Sequence, residues 1–490
     1  MQMPLDFEVT TDNGIVYKYH IPNTWFVKNT KATVLPKWYG WDLLAPEYKA
    51  LVTIPGKIKN VQIDPEHFMA DIDLTNNQLH GSNVFRFDSR VANVPKWEKK
   101  ENFIRPDVWY NAFDGVQLGV HANGNYMGVD NVYSANVWYN SRLLQGTYFT
   151  DAQRKLNNLV SCSLTVRHNL KAVWQQLYFN AYAISNVGLQ KGGLGLEKIF
   201  RKQDNYNPRY TKVFINHDFM YRANKSDSLY LIYPSQWSLQ KLNSSLNIGV
   251  ERNYTYEKGN GRINLDLRVP GLKSDFNYSY LQLTSLNNNN LGKFEFKTRL
   301  MARLGMGGVP AESQLYMAGA SPETMYGNKY TRASGFVPQQ WTGFANNVNH
   351  FQAGGGLNIR GLAGYVVPVE KDGVIYYNNA GNSGAGFNME LDFDRFIKIK
   401  PYKYTKNFKV DTYLFTDMGV LTYNTTSNQQ LLGDFKINAG VGTAVTYKFG
   451  PLNVKPLTIR FDIPLFLNST PFISTDYVQY RYVIGINRAF

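Results

Sequence analysis

Cysteine is almost absent from this chain, and so are long apolar runs. The 490 residues include one cysteine, Cys162, so no intrachain disulfide can form and a disulfide-stapled scaffold is excluded. No stretch reaches about 18 consecutive apolar residues, which excludes an ordinary transmembrane helix. The N-terminal residues carry neither a basic segment nor an apolar one. We therefore expect no signal peptide there, and an exported protein would be a fragment or a mature piece.

The sequence motifs of common enzymes are also missing. There is no H-E-x-x-H, no G-x-S-x-G and no phosphate-binding loop. The seven histidines never lie about three to five residues apart, which is the spacing that zinc ligands on one element adopt. Carboxylates are scattered, as is typical of structural residues. We expect no catalytic residue, no metal and no cofactor in this chain.

Charge and aromatic content narrow the choice of partner. The chain has a net charge of +15, but its lysines and arginines recur singly along the sequence and form no basic helix. Nucleic-acid binding is therefore not expected. An acidic membrane surface or an acidic client protein could account for the charge. The 34 tyrosines favour a surface that is apolar on one side and wet on the other, such as a membrane interface.

The N-terminal part of the chain predicts a small β-domain over residues 1–85. Residues 7–21 have the pattern of a hairpin around an Asn-Gly turn. Residues 48–63 predict two further strands on either side of Pro55-Gly56. Residues 86–105 are charged and aperiodic, and we interpret them as a linker.

From about residue 116 onward, apolar and polar residues alternate with a period of two. In 261–269, for example, the apolar residues Ile263, Leu265 and Leu267 share one face, and charged residues occupy the other. Similar runs lie at 116–126, 173–184, 240–250, 293–304, 408–418, 435–447, 457–463 and 478–486. This alternation predicts β-strands with one apolar face.

Two folds produce such alternation: a soluble β-sandwich and a membrane-spanning β-barrel. The runs are about 9–12 residues long, which suits a tilted transmembrane strand and is long for a soluble one. Strands in a bilayer must close into a barrel, because every backbone group needs a partner there. We therefore predict an all-β chain with a transmembrane antiparallel barrel at 106–490. The length allows about 16 strands, and 14 or 18 also fit.

One connection stands out between Leu304 and Phe387. It shows little alternation and is dense in glycine, at Gly305, Gly307, Gly308, Gly319, Gly354, Gly355, Gly356, Gly361 and Gly364. A connection this long is either functional or disordered. Glycine permits tight folding back into a cavity, so we expect the connection to lie inside the barrel.

Three motifs follow one another in the C-terminal half. Ile359-Arg360-Gly361 lies in the glycine-rich connection, Asp417-x-Gly419 lies on an alternating strand, and the chain ends on Phe490. The alternation places Asp417 on the polar, inward face. This order resembles the outer-membrane assembly-factor superfamily, which includes BamA, TamA and the two-partner secretion transporters. The resemblance covers about the last 375 residues.

The resemblance implies a specific arrangement of these residues. In that superfamily an (Val/Ile)-Arg-Gly-(Phe/Tyr) motif stands at the tip of the sixth extracellular loop, which folds into the lumen. Its arginine meets an Asp-x-Gly motif on the barrel wall. Here Leu362 replaces the usual aromatic residue, and Tyr365 is an aromatic residue nearby. We therefore expect a lumen lock formed by Ile359, Arg360, Gly361, Asp417 and Gly419.

The terminal strand is also expected to carry a signal. Tyr480, Tyr482, Ile484 and Ile486 alternate toward one side, which we predict to face lipid, and Phe490 ends the chain. Arg488 interrupts this set and is expected to reach the membrane interface. A C-terminal aromatic residue of this kind resembles the recognition signal for outer-membrane insertion. The alternative is plain interfacial anchoring by an aromatic ring.

The N-terminal domain carries a second resemblance. Residues 3–9, 17–22, 63–65, 69–73 and 76–77 are similar to the β-domain that follows the catalytic zinc domain in membrane-alanyl-aminopeptidase-type metallopeptidases. Some Bacteroidota-type proteins resemble a fusion of such a peptidase to an assembly-factor barrel. The longer parent protein would then be a zinc peptidase.

These patterns favour a bacterial outer-membrane barrel whose N-terminal domain lies in the periplasm. The expected role is protein insertion or translocation, with the lipid bilayer and unfolded outer-membrane clients as partners, or a peptidase domain and accessory lipoproteins. The alternative is a passive pore or membrane anchor for a periplasmic zinc aminopeptidase. A soluble β-sandwich binding protein is the third possibility.

Overall fold

A computed structural model of the chain shows an almost entirely β structure. It describes residues 3–39, 45–71, 73–80, 83–89, 96, 98–126, 130–201, 208–223, 229–232, 237–338, 341, 350–364, 367–393, 396, 407–425, 429–448, 456–468 and 477–489. Contacts divide the chain into two compact units, residues 1–105 with 122–133, and residues 106–121 with 134–490.

The N-terminal residues form a four-stranded sheet. Its strands are β1 (Leu5–Thr11), β2 (Val16–Ile21), β3 (Thr33–Val34) and β4 (Ile58–Ile63), in the order β3-β2-β1-β4. The predicted hairpin is confirmed, because β1 and β2 pair antiparallel with Leu5 opposite Ile21. Gly14 takes a positive φ of 83° at the turn, a conformation that costs glycine little.

The second predicted pair of strands is half wrong. Only Ile58–Ile63 is a strand, paired with β1, whereas residues 48–54 form none. Leu51 is 99% exposed, and residues 48–54 pair with no strand. A segment next to a Pro-Gly turn does not by itself make a strand, because its backbone groups need a partner strand.

The predicted linker at 86–105 is corrected by the structure. Strand β5 (Asn83–Phe87) pairs in parallel with the start of β6 (Lys100–Asn111), and both belong to the large sheet. Four of the charged residues in this range form two ion pairs. Arg86 lies 3.5 Å from Glu101, and Arg105 lies 3.2 Å from Asp88.

The large sheet is a closed barrel. After β5 and β6 its strands are β7 (Gly115–Tyr126), β8 (Asp130–Asn140), β9 (Val160–Asn169), β10 (Leu177–Asn186), β11 (Leu189–Arg201), β12 (Tyr210–Tyr221), β13 (Leu242–Tyr256), β14 (Gly259–Pro270), β15 (Tyr278–Leu291), β16 (Phe294–Gly307), β18 (Phe351–Ala353), β22 (Gly384–Asp392), β23 (Phe408–Asn424), β24 (Gln430–Leu432), β25 (Lys436–Tyr447), β26 (Leu457–Leu467) and β27 (Val483–Ile486).

Two of these strands are short additions to the wall. Strand β18 lies parallel to β27, and β24 pairs with the last residues of β23, whereas β16 pairs directly with β22 and β23 with β25. The short β5 stands between β27 and β6, so seventeen strands complete the closure among the described residues, against a predicted number of about 16. From β9 to β16, and on through β22, β23, β25, β26 and β27, each consecutive pair of these strands is antiparallel.

The two faces of the wall are as the alternation predicts. On β14, Ile263, Leu265 and Leu267 are exposed outward, whereas Arg268 on the opposite face is buried. On β23, Leu414 is exposed and Asp417 is fully buried. The apolar side chains therefore face outward and the polar ones inward, which is the reverse of a soluble β-protein.

The long connection between β16 and β22 folds back against the inner face of the wall. It contains β17 (Leu315–Tyr316), β18, β19 (Pro368–Lys371), β20 (Val374–Tyr377) and β21 (Ala380–Gly381), with β17 paired to β21 and β19 to β20. Buried side chains of the connection and of the wall share one apolar cluster: Met317, Leu357, Ile359 and Leu362 with Met301, Leu421 and Leu467.

Helical structure is scarce. The described residues contain α1 (Asp151–Arg154), α2 (Pro322–Tyr326) and short 3-10 turns at Leu74–Asn76, Ala311–Ser313 and Arg360–Leu362. Thr150 and Gln153 form a capping box at α1, and Ser321 caps α2 by accepting from the Thr324 amide. Within this part of the chain, no helix is long and apolar enough to cross a membrane.

Candidate functional site

The connection presents Arg360 to the barrel wall from a short, fixed turn. Backbone hydrogen bonds from Leu357 to Tyr316 (2.9 Å) and from Ile359 to Met317 (3.0 Å) hold the residues before it. Arg360 then begins a 3-10 turn. Leu357 and Ile359 are fully buried in the apolar cluster. The turn therefore presents the arginine side chain from a closely packed apolar support.

The structure brings Arg360 and Asp417 together. The arginine Nε donates to Asp417 Oδ2 at 2.9 Å and Nη2 donates to Oδ1 at 2.8 Å, which is a bidentate pair. The Arg360 backbone N–H also donates to Asp417 Oδ2 at 3.2 Å. Both side chains are completely buried. One carboxylate thus fixes both the backbone and the side chain of the turn.

Two further carboxylates surround the same guanidinium. Arg360 Nη1 donates to Glu390 Oε1 at 2.7 Å and lies 3.7 Å from Asp462 Oδ1. The guanidinium carbon stands 3.9 Å from the centre of the Phe415 ring, a cation–π contact. Each of these residues occupies an inward position on β22, β23 or β26.

Additional groups balance the excess of negative charge. Arg488 donates to Glu390 and, at 3.2 Å, to Asp411. Arg460 donates to Asp462, which also accepts from the Tyr413 hydroxyl at 2.7 Å. Three arginines and four carboxylates therefore form one buried network: Arg360, Arg460 and Arg488 with Glu390, Asp411, Asp417 and Asp462. We call it the ionic cluster.

Asn388 and Arg299 clamp the backbone of the same turn. Asn388 Nδ2 donates to Asp417 Oδ1 (3.1 Å) and to the carbonyls of Leu357 (3.1 Å) and Asn358 (3.2 Å). Arg299 donates to Asn388 Oδ1 at 2.9 Å and to the Gly356 carbonyl at 2.7 Å. Asn388 and Glu390 were not predicted from the sequence. The signal was available, because they alternate with Phe387 and Met389 along β22.

The two motif glycines stand where a side chain would collide. A Cβ on Gly361 would lie 2.9 Å from the Asn438 Cβ and 3.0 Å from Leu467 Cδ2. A Cβ on Gly419 would lie 2.6 Å from the Ala385 carbonyl oxygen and 3.3 Å from Ile359 Cδ1. Both glycines therefore allow the connection and the wall to approach closely.

The residue after Gly361 departs from the superfamily pattern. Leu362 is 2% exposed and lies in the apolar cluster with Leu467. It acts here as a core residue. Tyr365, the nearby aromatic residue, lies outside the described residues.

A second anchor of the connection contacts a different part of the wall, and it was not predicted from the sequence. Glu323 of α2 accepts from Ser313 at 2.8 Å and lies 3.6 Å from Lys191 Nζ on β11. Arg268 and Arg303 also act on it electrostatically. Arg303 donates to the Ser313 carbonyl at 3.0 Å. The connection therefore places the Glu323 carboxylate near lysine and arginine side chains of the wall. It places the Arg360 guanidinium among carboxylates of the wall.

The terminal strand only partly follows its predicted pattern. Tyr480 is exposed and Tyr482 and Ile484 are half-buried, but Ile486 is 9% exposed and packs with Phe351 and Ala353 of the connection. The prediction that Ile486 faces lipid is therefore wrong, because β18 covers it. Phe490 lies outside the described residues.

Arg488 likewise differs from its expected interfacial position. It belongs to the ionic cluster and is in contact with Glu390 and Asp411. The strand ends at Ile486, and Asn487 takes a positive φ of 66°. This break ends the alternation, so the side chain of Arg488 no longer shares a face with Ile484 and Ile486.

Comparisons with known proteins give distant structural neighbours. No protein-family model matches the chain, and no curated protein matches it significantly. Among solved structures, CdiB from Escherichia coli aligns with a TM-score of 0.43 and 12% identity over 80% of this chain. BamA from Haemophilus ducreyi lacking POTRA domains 1–3 aligns with a TM-score of 0.38 and 14% identity over 79% of it. CdiB from Acinetobacter baumannii aligns with a TM-score of 0.34 and 10% identity, also over 79%.

The aligned parts are only portions of those proteins. The chain covers 63% of the E. coli CdiB chain, 70% of the H. ducreyi BamA chain and 55% of the A. baumannii CdiB chain. The structure of this chain shows a closed antiparallel β-barrel whose long connection is held inside by a buried ionic cluster.

Proposed function

We propose that this chain is an outer-membrane β-barrel that inserts or translocates proteins, and that the connection between β16 and β22 gates it. The observation that carries the proposal is the contact of Arg360 with Asp417 and Glu390 on the inner wall. The resemblance of the motifs to the assembly-factor superfamily implies this contact. A gate must have a stable closed state, and the ionic cluster stabilises the connection in that state.

The outward face supports a bilayer as the surroundings of the barrel. Leu118, Leu194, Leu265, Leu414 and Val445 are exposed on strands distributed around the wall. Soluble monomers rarely expose apolar surface on this scale. A lipid environment removes that cost, and closure of the sheet gives its strands neighbours on both edges, as strands in a bilayer require.

The packing of the Arg360 turn against the inner wall argues against a permanently open pore. Leu357, Ile359, Arg360 and Leu362 are all almost fully buried against the inner wall. A conducting or translocating state therefore requires this turn to move. A passive anchor would have no need for movement, and that difference separates the two functions.

The proposal also assigns the N-terminal sheet a compartment and a parent protein. Residues 1–85 would lie in the periplasm and continue from a zinc aminopeptidase in a longer parent protein. Their similarity to the domain that follows the catalytic domain in such enzymes supports this. On its own the chain would have no peptidase activity, and zinc-dependent hydrolysis of aminoacyl reporter substrates by the purified chain would contradict that.

The test is reconstitution of the chain in liposomes with an unfolded outer-membrane protein as client. We expect the client to reach its heat-modifiable folded form several-fold faster than in empty liposomes. Asp417→Asn should change the rate at which the client folds, because asparagine lacks the negative charge that holds Arg360. Asp372→Asn is the matched control, since Asp372 is exposed on the same connection. Equal rates with and without the barrel would leave only the anchor function.

A further inference from the structure

The last strand of the barrel has partners on both of its edges. Strand β26 pairs with β27 antiparallel, with Phe461 opposite Ile484. Strand β18 pairs with the same residues in parallel, with Phe351 opposite Ile484 and Ala353 opposite Ile486. A strand has only two hydrogen-bonding edges. The long connection therefore hydrogen-bonds along the edge of β27 opposite β26, on the side where β5 continues the wall.

Backbone hydrogen bonds and a ring contact hold this segment in place. Ile484 N–H donates to the His350 carbonyl at 2.6 Å, and Gly354 N–H donates to the Ile486 carbonyl at 3.0 Å. The His350 ring stacks on Tyr482 with centroids 3.8 Å apart. The segment 350–353 thus has the contacts that an added strand makes in β-augmentation.

The side chains of the segment fill specific positions. Phe351 and Ala353 pack with Ile486 and with Met325 of α2. Gln352, between them, accepts from Arg460 Nη2 at 2.6 Å. The positions beside β27 therefore accept an aromatic residue, an amide and a small apolar residue in succession.

The pairing is limited in extent, so it can be exchanged. It spans three residue pairs, which is short for a strand, and parallel pairing is slightly weaker per residue than antiparallel pairing. Any other extended segment offers the same backbone groups to this edge.

The segment is also linked to the turn that carries Arg360. Gln352 Nε2 donates to Asn358 Oδ1 at 3.3 Å, and Asn388 holds the Asn358 carbonyl beside Asp417. Loosening the ionic cluster therefore loosens the anchor of Gln352.

We propose that residues 350–353 are a built-in substitute strand. They occupy on β27 the edge that receives an extended segment of a client, and they must leave before a client binds there. The fitting client segment runs parallel to β27 and carries an aromatic residue and a small apolar residue two positions apart. This proposal rests on the proposed insertion function.

The first experiment fixes the segment in place with a reversible bond. Ala353→Cys with Ile486→Cys, in a Cys162→Ser background, joins two residues that are register partners. Oxidation should lower client insertion in liposomes at least ten-fold, and a reductant should restore it. Lys371→Cys with Val374→Cys is the matched control, because it crosslinks the β19–β20 hairpin of the same connection. Full activity of the oxidised 353/486 pair would overturn the proposal.

The second experiment does not depend on insertion. The probe is a synthetic peptide of residues 350–356 with cysteine in place of Ala353, offered to the Ile486→Cys variant in the Cys162→Ser background. Adding Gln352→Ala should raise the yield of mixed disulfide at least five-fold by freeing the edge, whereas adding Lys371→Ala should not.

The two experiments separate the two proposals. Peptide capture without any client insertion by any variant would refute the insertion function and retain the exchangeable edge. Insertion by the Cys162→Ser barrel with no capture after Gln352→Ala would refute the substitute strand and retain the function.

Discussion

Replacing Arg360 with alanine is the sharpest perturbation of the ionic cluster. The guanidinium makes bidentate contact with Asp417, donates to Glu390 at 2.7 Å and lies 3.7 Å from Asp462. All four side chains are at most 1% exposed. Alanine would keep only the backbone N–H bond to Asp417. Removing one partner of a buried ion pair costs about 3–5 kcal/mol, and we expect Arg360→Ala to destabilise the closed connection by that amount.

Replacing Asp417 with alanine should cost less. Arg360 would keep its bond to Glu390 and its proximity to Asp462, so its charge would remain compensated. The loss is mainly that of charged hydrogen bonds, about 2–3 kcal/mol. In the double variant, Glu390 retains Arg488 and Asp462 retains Arg460. No buried carboxylate of the cluster is left stranded in the double variant, so we expect it to cost less than Arg360→Ala alone, with a coupling energy of at least about 2 kcal/mol between the two changes.

The readout is the rate at which a protease cleaves the connection in intact liposomes. When opening is fast relative to cleavage, this rate follows the population of the open state. A loss of about 3–5 kcal/mol corresponds to roughly two to three and a half powers of ten in rate. Lys371→Ala, exposed on the same connection, serves as the control. Strictly additive effects of the two single changes would refute the pairing of Arg360 with Asp417 as the lock.

Four further outcomes follow from the structure. Leu265→Arg or Val445→Arg should cost about 2–4 kcal/mol near the bilayer midplane, seen as loss of heat-modifiable gel mobility. Glu323→Ala should speed protease cleavage around α2 while leaving the Arg360 turn protected, because the two anchors lie on different strands. Asp114, in the turn between β6 and β7, is fully buried, and burial raises its pKa to about 6. Its folded form therefore binds a proton more readily than the unfolded chain, so stability should fall as pH rises from about 4 to 6, and Asp114→Asn should flatten that slope in unfolding measurements. Deleting Phe490 should reduce insertion in cells more than it reduces the stability of barrel already folded in detergent.

Each of these outcomes has a contrary result. Normal folding of both arginine variants in lipid, together with solubility of the chain without detergent, would contradict a lipid-facing wall. Uniform cleavage of the whole connection after Glu323→Ala would show a single cooperative anchor. A stability slope unchanged by Asp114→Asn would assign the pH dependence to other groups. Equal losses in both assays after deletion of Phe490 would favour interfacial anchoring.

The sequence by itself determined the faces of the barrel strands. Successive side chains of a strand point to opposite sides, so alternation alone assigned Leu265 outward and Asp417 inward. The order of the motifs also indicated that Arg360 and Asp417 belong together, although 57 residues separate them. The face of a side chain follows from local alternation, and the motifs are recognised from residue identity. Neither feature depends on which strands become neighbours.

Only the tertiary structure decided the remaining partners. Glu390 reaches Arg360 because β22 lies beside β23, with Asn388 opposite Asp417 in the register. Ile486 is buried because the connection returns to pair with β27. The charges at 86–105 form ion pairs because β5 lies beside β6. Strand register and the path of a long connection depend on contacts between distant residues, which the local pattern of a sequence does not specify.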